Sequence, residues 1–227
     1  MGYSYAPAVQ VRTGAERATL VRRTYGLVFL SIVVSMLGVA FAFSQDAVMG
    51  AVAAHPFITF FCSLIPLIMA QRQARVFPQN IVLTFLFTFV MGVSIAPAMA
   101  FYQARAPGAI TEAAILTLGT FGVLTLYTFV SRRDFSAWGG FFMIGLFVLI
   151  LASVLNAFIG SAAGALWISA IGVFVMAGLL VFDTWRLLRS GMLGEDDYVI
   201  AAVSIYLDLL NMFMFILSLV SGGDRRR

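Results

Sequence analysis

Two stretches decide how this chain folds: residues 165–188, ALWISAIGVFVMAGLLVFDTWRLL, and residues 199–220, VIAAVSIYLDLLNMFMFILSLV. Each exceeds the roughly 20 apolar residues that a helix needs to cross a hydrocarbon core of ~30 Å. Each also keeps one carboxylate in its interior, Asp183 in the first and Asp208 in the second. The short join SGMLGEDDY forces the two helices into an antiparallel hairpin whose midpoint falls near Gly194. Asp183 lies eleven residues before that midpoint and Asp208 fourteen after, so the hairpin puts them at the same depth to within about one turn, ~5 Å. An ionisable group in a spanning helix costs about 2.5–3.5 kcal/mol on insertion scales, so it turns toward the bundle and takes a partner. The spacing predicts that the two aspartates face each other.

Two carboxylates touching in a dry site cannot both stay ionised, and the proton they share belongs to the pair. Such a dyad is a proton-sensitive latch. With a proton it bonds the two helices; doubly charged it repels itself and attracts a cation. Ser204, four residues before Asp208, and Asn211, three after, fall on the same helical face as polar neighbours for a water-filled path. A plainer reading has Asp183 pairing with Arg186 or Arg189 where the helix leaves the membrane. Asp208 has no basic residue within reach along its own helix.

The whole composition agrees with a bilayer. Of 227 residues 62% are apolar and 11% charged, and the mean hydropathy is +1.00, outside the range of soluble domains. All 14 basic residues are arginine, in short clusters beside apolar runs that fix topology and touch lipid headgroups. The +4 net charge therefore implies a membrane rather than a nucleic acid. One cysteine, Cys62, and one histidine, His55, leave no disulfide and no Cys-based metal cluster. No Ser-His-Asp set or phosphate loop occurs, so the chain reads as a non-enzyme without a cofactor. Glu195, Asp196 and Asp197 form an acidic turn before the last helix, suited to capping it.

Apolar runs near 25–44, 57–70, 81–101, 110–130, 137–158, 165–188 and 199–220 predict an all-α membrane protein, a bundle of seven transmembrane helices. The second is interrupted by His55-Pro56 and starts either near Val48 with a bend or as a shorter helix at Pro56. Residues 1–22 read as an N-terminal arm, 23–221 as the transmembrane domain and 222–227 as a short basic tail. With the N-terminus inside, Arg12, Arg17, Arg22, Arg23, Arg72, Arg75, Arg132, Arg133, Arg186 and Arg189 face the cytoplasm, against Arg105, Arg225, Arg226 and Arg227 outside. Glycines inside the spans, Gly92, Gly119, Gly122, Gly145, Gly172 and Gly178 among them, let helix backbones approach closely.

The segments GLLVFDTWRLLRSG (178–191) and DDYVIAAVSIYLDLLNMFMFILSLV (196–220) resemble the last two helices of the Bax inhibitor-1 family, and TLYTFVSRRDFSAWGGFFMIGL (125–146) is similar to its loop and following helix. The resemblance implies a bacterial member with the last helix near the centre of the bundle, in the inner (plasma) membrane. It also implies a pH-sensitive calcium leak in which Asp183 and Asp208 are the dyad and line a weak calcium path. An arginine at the end of the second helix, Arg72 or Arg75 in MAQRQARVF, is implied as the dyad's partner. Trp185 departs from a polar amide in relatives and is expected to narrow or shield the path.

Calcium is thus expected as transported ion, and the lipid bilayer as the constant partner. An alternative is an interaction protein modulating a membrane-bound ATP-dependent protease through the arginines of the arm. An intramembrane aspartyl protease is a remote alternative, because the context Tyr206-Leu207-Asp208 lacks the glycines of that chemistry.

Overall fold

The structure is a computed structural model that describes residues 14–189 and 193–223. The first thirteen residues of the expected arm, the Glu195 side chain and the tail arginines Arg225, Arg226 and Arg227 lie outside the described residues. Among the described residues there are eight α-helices and no strand: α1 Gly14–Ser44, α2 Asp46–Ala54, α3 Pro56–Arg72, α4 Gln79–Arg105, α5 Ala109–Val130, α6 Ser136–Ile159, α7 Ala162–Arg189 and α8 Tyr198–Gly223. A single 3-10 turn, Glu195–Asp197, leads into α8. Six helices, α1 and α4 to α8, are long and apolar enough to cross a membrane, and α2 with α3 pass the same test only as a pair.

That pair is bent by 100°. His55 leaves the helical region (φ −132°, ψ 56°) and Pro56 opens α3 at its first turn. Proline has no N–H to continue the preceding helix, and its ring clashes with it. The interrupted run therefore resolves into two helices, with Asp46 placing its charge at the N-terminus of α2. α1 also differs from expectation by starting at Gly14, inside the segment read as an arm. Leu20 and Thr24 are buried while Arg17, Arg22 and Arg23 stay exposed. This four-residue periodicity carries the helix past the apolar run.

The tightest seam joins α1 to α4. Ser31, Ser35, Gly38 and Ala42 are buried on α1, and Thr88, Gly92 and Ala96 on α4. A Cβ at Gly92 would overlap the Ser35 carbonyl oxygen, and one at Gly38 the Phe89 carbonyl oxygen. The two backbones therefore touch, as small residues permit in a bilayer. α8 packs against α1, α3, α4, α5 and α7, whereas α6 packs on α7 alone. The outer face of α6 exposes Phe141, Ile144, Phe147 and Phe158. A surface this apolar is stable with lipid as its solvent.

Arginines gather at one end of the bundle. Arg23 of α1 sits 5.8 Å from the ring centroid of Tyr198, Arg75 after α3 pairs with Asp197, and Arg189 of α7 donates to the Phe129 carbonyl of α5 at 3.3 Å. The opposite end carries Arg105, whose guanidinium lies 4.0 Å from the Phe101 ring.

Replacing Gly92 by valine is expected to cost about 1–3 kcal/mol through overpacking and to lower the thermal midpoint of the purified protein by several degrees. Gly122→Ala, where an added methyl meets nothing within 4 Å, is expected to stay within about 0.5 kcal/mol of the parent. Equal midpoints for all three proteins would contradict the backbone contact between α1 and α4.

Candidate functional site

Asp183 is positioned by what its neighbours on α7 bury. Phe182 lies over Gly139 of α6, where a Cβ would collide with the ring, and Val181 and Trp185 pack with Phe135. These side chains fix one face of α7, and the helical period turns Asp183 to the other. Trp185 therefore fills an apolar cluster away from the dyad, so its bulk does not narrow the space around Asp183.

Across from it, Asp208 is 6% exposed. The two carboxyl groups lie within hydrogen-bonding reach of one another. Such a bond between carboxyl groups holds one proton between them. Arg186 Nη1 stands 3.6 Å from Asp183 Oδ1, so the ion pair along α7 and the contact with Asp208 coexist. Asp208 Oδ2 is buried and has no hydrogen-bond partner among the described residues. A buried polar atom left in that state costs about 1–3 kcal/mol. Relief comes from water, a proton or a cation.

The polar neighbours are unequal. Ser204 is half-buried and Asn211 exposed, so the Asp208 face of α8 opens toward the surface one turn further on. A second polar group was not separable in the sequence. Tyr25 Oη of α1 lies close to the hydroxyls of Thr125 in α5 and Thr184 in α7 without a well-aligned bond, and all three oxygens are buried. Thr184 follows Asp183 directly. Hydroxyls within apolar runs are the available signal, but Thr117 and Thr128 in the same helix give that signal while bonding only to their own backbone at 2.7 and 2.8 Å.

Neither Arg72 nor Arg75 reaches the dyad. Arg75 forks onto Asp197, Nε to Oδ1 at 2.9 Å and Nη2 to Oδ2 at 3.2 Å. Asp197 lies eleven residues before Asp208, roughly 16 Å along the helix axis. The Gly194 N–H donates to Asp197 Oδ2 at 2.8 Å, so Asp197 also caps the turn that starts α8. Asn80 braces the same place, donating to the Ala74 carbonyl at 2.8 Å and to Tyr198 Oη at 3.2 Å. The hydrogen bond and charge of Asp197 raise the Arg75 pKa further above its ordinary value. Arg75 thus clamps the α3–α4 connection to the foot of α8. Arg72 is exposed at the end of α3. Among the described residues the cation beside Asp183 is Arg186, on the same helix α7.

A family model described as inhibitor of apoptosis-promoting Bax1 matches residues 17–225. The chain belongs to the Bax inhibitor-1 family. It is 30% identical over 208 residues to Bax inhibitor 1 of Schizosaccharomyces pombe, covering 90% of this chain and 76% of the relative. It is 32% identical over 210 residues to an uncharacterized membrane protein of Vibrio cholerae, covering 90% of each. Protein lifeguard 4 of Mus musculus is 28% identical over 227 residues, covering 99% of this chain and 93% of the relative. The family resemblance over 125–146 has a structural content in this chain. Asp134 Oδ1 accepts the Ser136 N–H at 2.8 Å at the start of α6, and Gly139 opens the seat for Phe182 beside Asp183.

Removing the clamp with Arg75→Ala is expected to speed hydrogen–deuterium exchange of the backbone at 193–200 and 74–80, with Arg75→Lys intermediate because an ammonium cannot fork. Because Arg75 is exposed, added salt is expected to have a similar but smaller effect on the parent. Unchanged exchange in Arg75→Ala would refute the clamp.

Proposed function

We propose that this member of the Bax inhibitor-1 family is a proton-regulated cation leak, with calcium as the ion carried and the Asp183–Asp208 pair as its gate. The observation that supports this reading is the contact of the part-buried Asp183 carboxyl with the buried Asp208 carboxyl of the neighbouring helix, one oxygen of which is unpartnered among the described residues. With the shared proton in place the pair ties α7 to α8. When the proton leaves, two negative charges repel at close range in a medium that screens them poorly. The helices part and the oxygens become ligands. Calcium takes oxygen ligands, and two carboxylates with water and hydroxyls are too sparse a set for tight storage. Weak binding is what conduction requires.

The surroundings supply an approach from each end. Toward the arginine-rich end, the hydroxyls of Tyr25, Thr125 and Thr184 provide polar atoms next to the dyad. At the opposite end a cavity of about 1160 Å³ is lined by Arg105, Asn156, Ser161, Ser218 and Ser221, among others. Between this vestibule and Asp208, the Phe215 ring lies against Gly172 and Ser169 bonds Ser218 at 2.9 Å. The α7–α8 seam is shut there, so opening requires the helices to separate.

In this reading α2 and α3 form one bent crossing, which makes seven, and the transmembrane domain runs from about residue 23 to 221. The gathering of Arg23, Arg75 and Arg189 at one end supports placing that end and the N-terminus in the cytoplasm, in the plasma membrane of a bacterium.

Reconstitution in liposomes loaded with a calcium dye tests the proposal. Acid returns the proton and shuts the pair, so flux is expected to rise with pH in the parent. Asp208→Asn and Asp183→Asn are expected to flatten that dependence, since an amide neither shares a proton nor charges. The same flux and the same pH response in parent and both variants would refute it.

A further inference from the structure

We propose that the slot between α1 and α5 is a binding site for one acyl chain of a bilayer lipid. The two helices both pack on α8; they meet through Tyr25, which rests on Phe121 and Phe129 at ring-centroid distances of 6.0 and 6.4 Å, and beyond that contact the gap between them encloses about 540 Å³. Tyr206, Leu209 and Phe213 of α8 form the floor, with Met36 of α1, Met99 of α4 and Leu118 of α5 around them. Both lips open sideways: Met36 is 66% exposed and Leu118 58%. The slot is therefore continuous with the surface that meets lipid.

Its chemistry excludes water as the filler. The three hydroxyls of the lining are already engaged. Ser35 Oγ and Tyr206 Oη bond each other at 2.6 Å, Ser35 Oγ donates to the Ser31 carbonyl at 2.8 Å, and Thr117 donates to the Ala113 carbonyl at 2.7 Å. A cavity with no free polar atom does not hold water, and left empty it forfeits dispersion contacts along every wall.

Shape decides between a lipid chain and a helix from a second copy. Along α1 the lining runs from Ile32 to Phe43, about 16 Å at 1.5 Å per residue. That is close to half of a hydrocarbon core of ~30 Å, the depth of one leaflet. Dividing about 540 Å³ by that length leaves a cross-section of about 34 Å². A helix with its side chains is a cylinder of about 10–12 Å, and with the radius of a water taken off all round, as it is in the slot's volume, it would still need about 40–65 Å², more than the slot offers. A single hydrocarbon chain fits and a helix does not.

The floor residues Tyr206, Leu209 and Phe213 lie on the side of α8 away from Asp208. The site thus stands independently of the leak, and its test does not read ion flux.

The full chain is reconstituted in phospholipid bilayers that include a lipid with a photoactivatable diazirine in one acyl chain, and adducts are mapped by peptide mass spectrometry. Labelling is expected to be several-fold denser at Met36, Met99 and Leu118 than on the open lipid face of α6 at Phe147 and Phe158. Ala114→Trp, which fills the slot from α5, is expected to abolish the excess while leaving α6 labelling unchanged. Ala40→Phe on the opposite lip serves the same purpose should the tryptophan fail to fold. Slot labelling no denser than that of α6, or an excess that survives the filled variant, would overturn the proposal. So would slot residues shielded from the lipid probe and crosslinked between copies of the chain, which would make a second copy the occupant.

Discussion

A carboxyl group from α7 and one from α8 meet where water cannot surround either, and much of the bundle is arranged to keep them there. Phe182 seated on Gly139 and Trp185 packed with Phe135 and Val181 fix the rotation of α7. α8 is held from five sides. Among the described residues Asp183 Oδ1 has a cation beside it, supplied by Arg186, and Asp208 has no cation on its own helix. In the proposed gate, loss of the shared proton leaves two like charges in a poorly screened site, and their repulsion is what would part the helices.

The parts of the fold set by local chemistry were legible in the sequence. Apolar length gave α4 to α8 to within a few residues, because a bilayer leaves a helix little freedom in where it ends. The His55-Pro56 break was legible as well, since proline removes a donor whatever surrounds it. The start of α1 was not legible: Arg17, Arg22 and Arg23 read as solvated arm, while the helix that carries them is fixed by burial of Leu20 and Thr24 on its other face. That Asp183 and Asp208 come within reach of one another was legible from hairpin arithmetic. The pair's cation was left open between Arg186 and more distant arginines, because which arginine arrives depends on the α3–α4 connection, and Asn80 holds that connection on Ala74 and Tyr198.

Glycine serves two different purposes here. At Gly38 and Gly92 it lets two backbones touch along α1 and α4. At Gly139, Gly172 and Gly178 it makes a seat for the rings of Phe182, Phe215 and Phe142. The first kind of contact is rigid, whereas a ring on a glycine can slide. Two of the three seats join α6 to α7 and the third joins α7 to α8, so in the proposed leak α7 is the helix that would shift when the carboxyl pair loses its proton. α1 and α4 provide the frame against which it moves, and the Arg75–Asp197 clamp fixes the foot of α8 to the same frame.

The central claim is that Asp183 and Asp208 share a proton inside the bundle. Infrared difference spectroscopy of the protein in bilayers reports it directly, through the carbonyl stretch of a protonated carboxyl group during a pH titration. A single such band is expected, lost in Asp208→Asn and displaced in frequency in Asp183→Asn, because the remaining acid has lost its hydrogen-bonding partner. A band that ignores the Asp183 substitution, or two carboxylates ionised independently throughout the titration, would contradict the account.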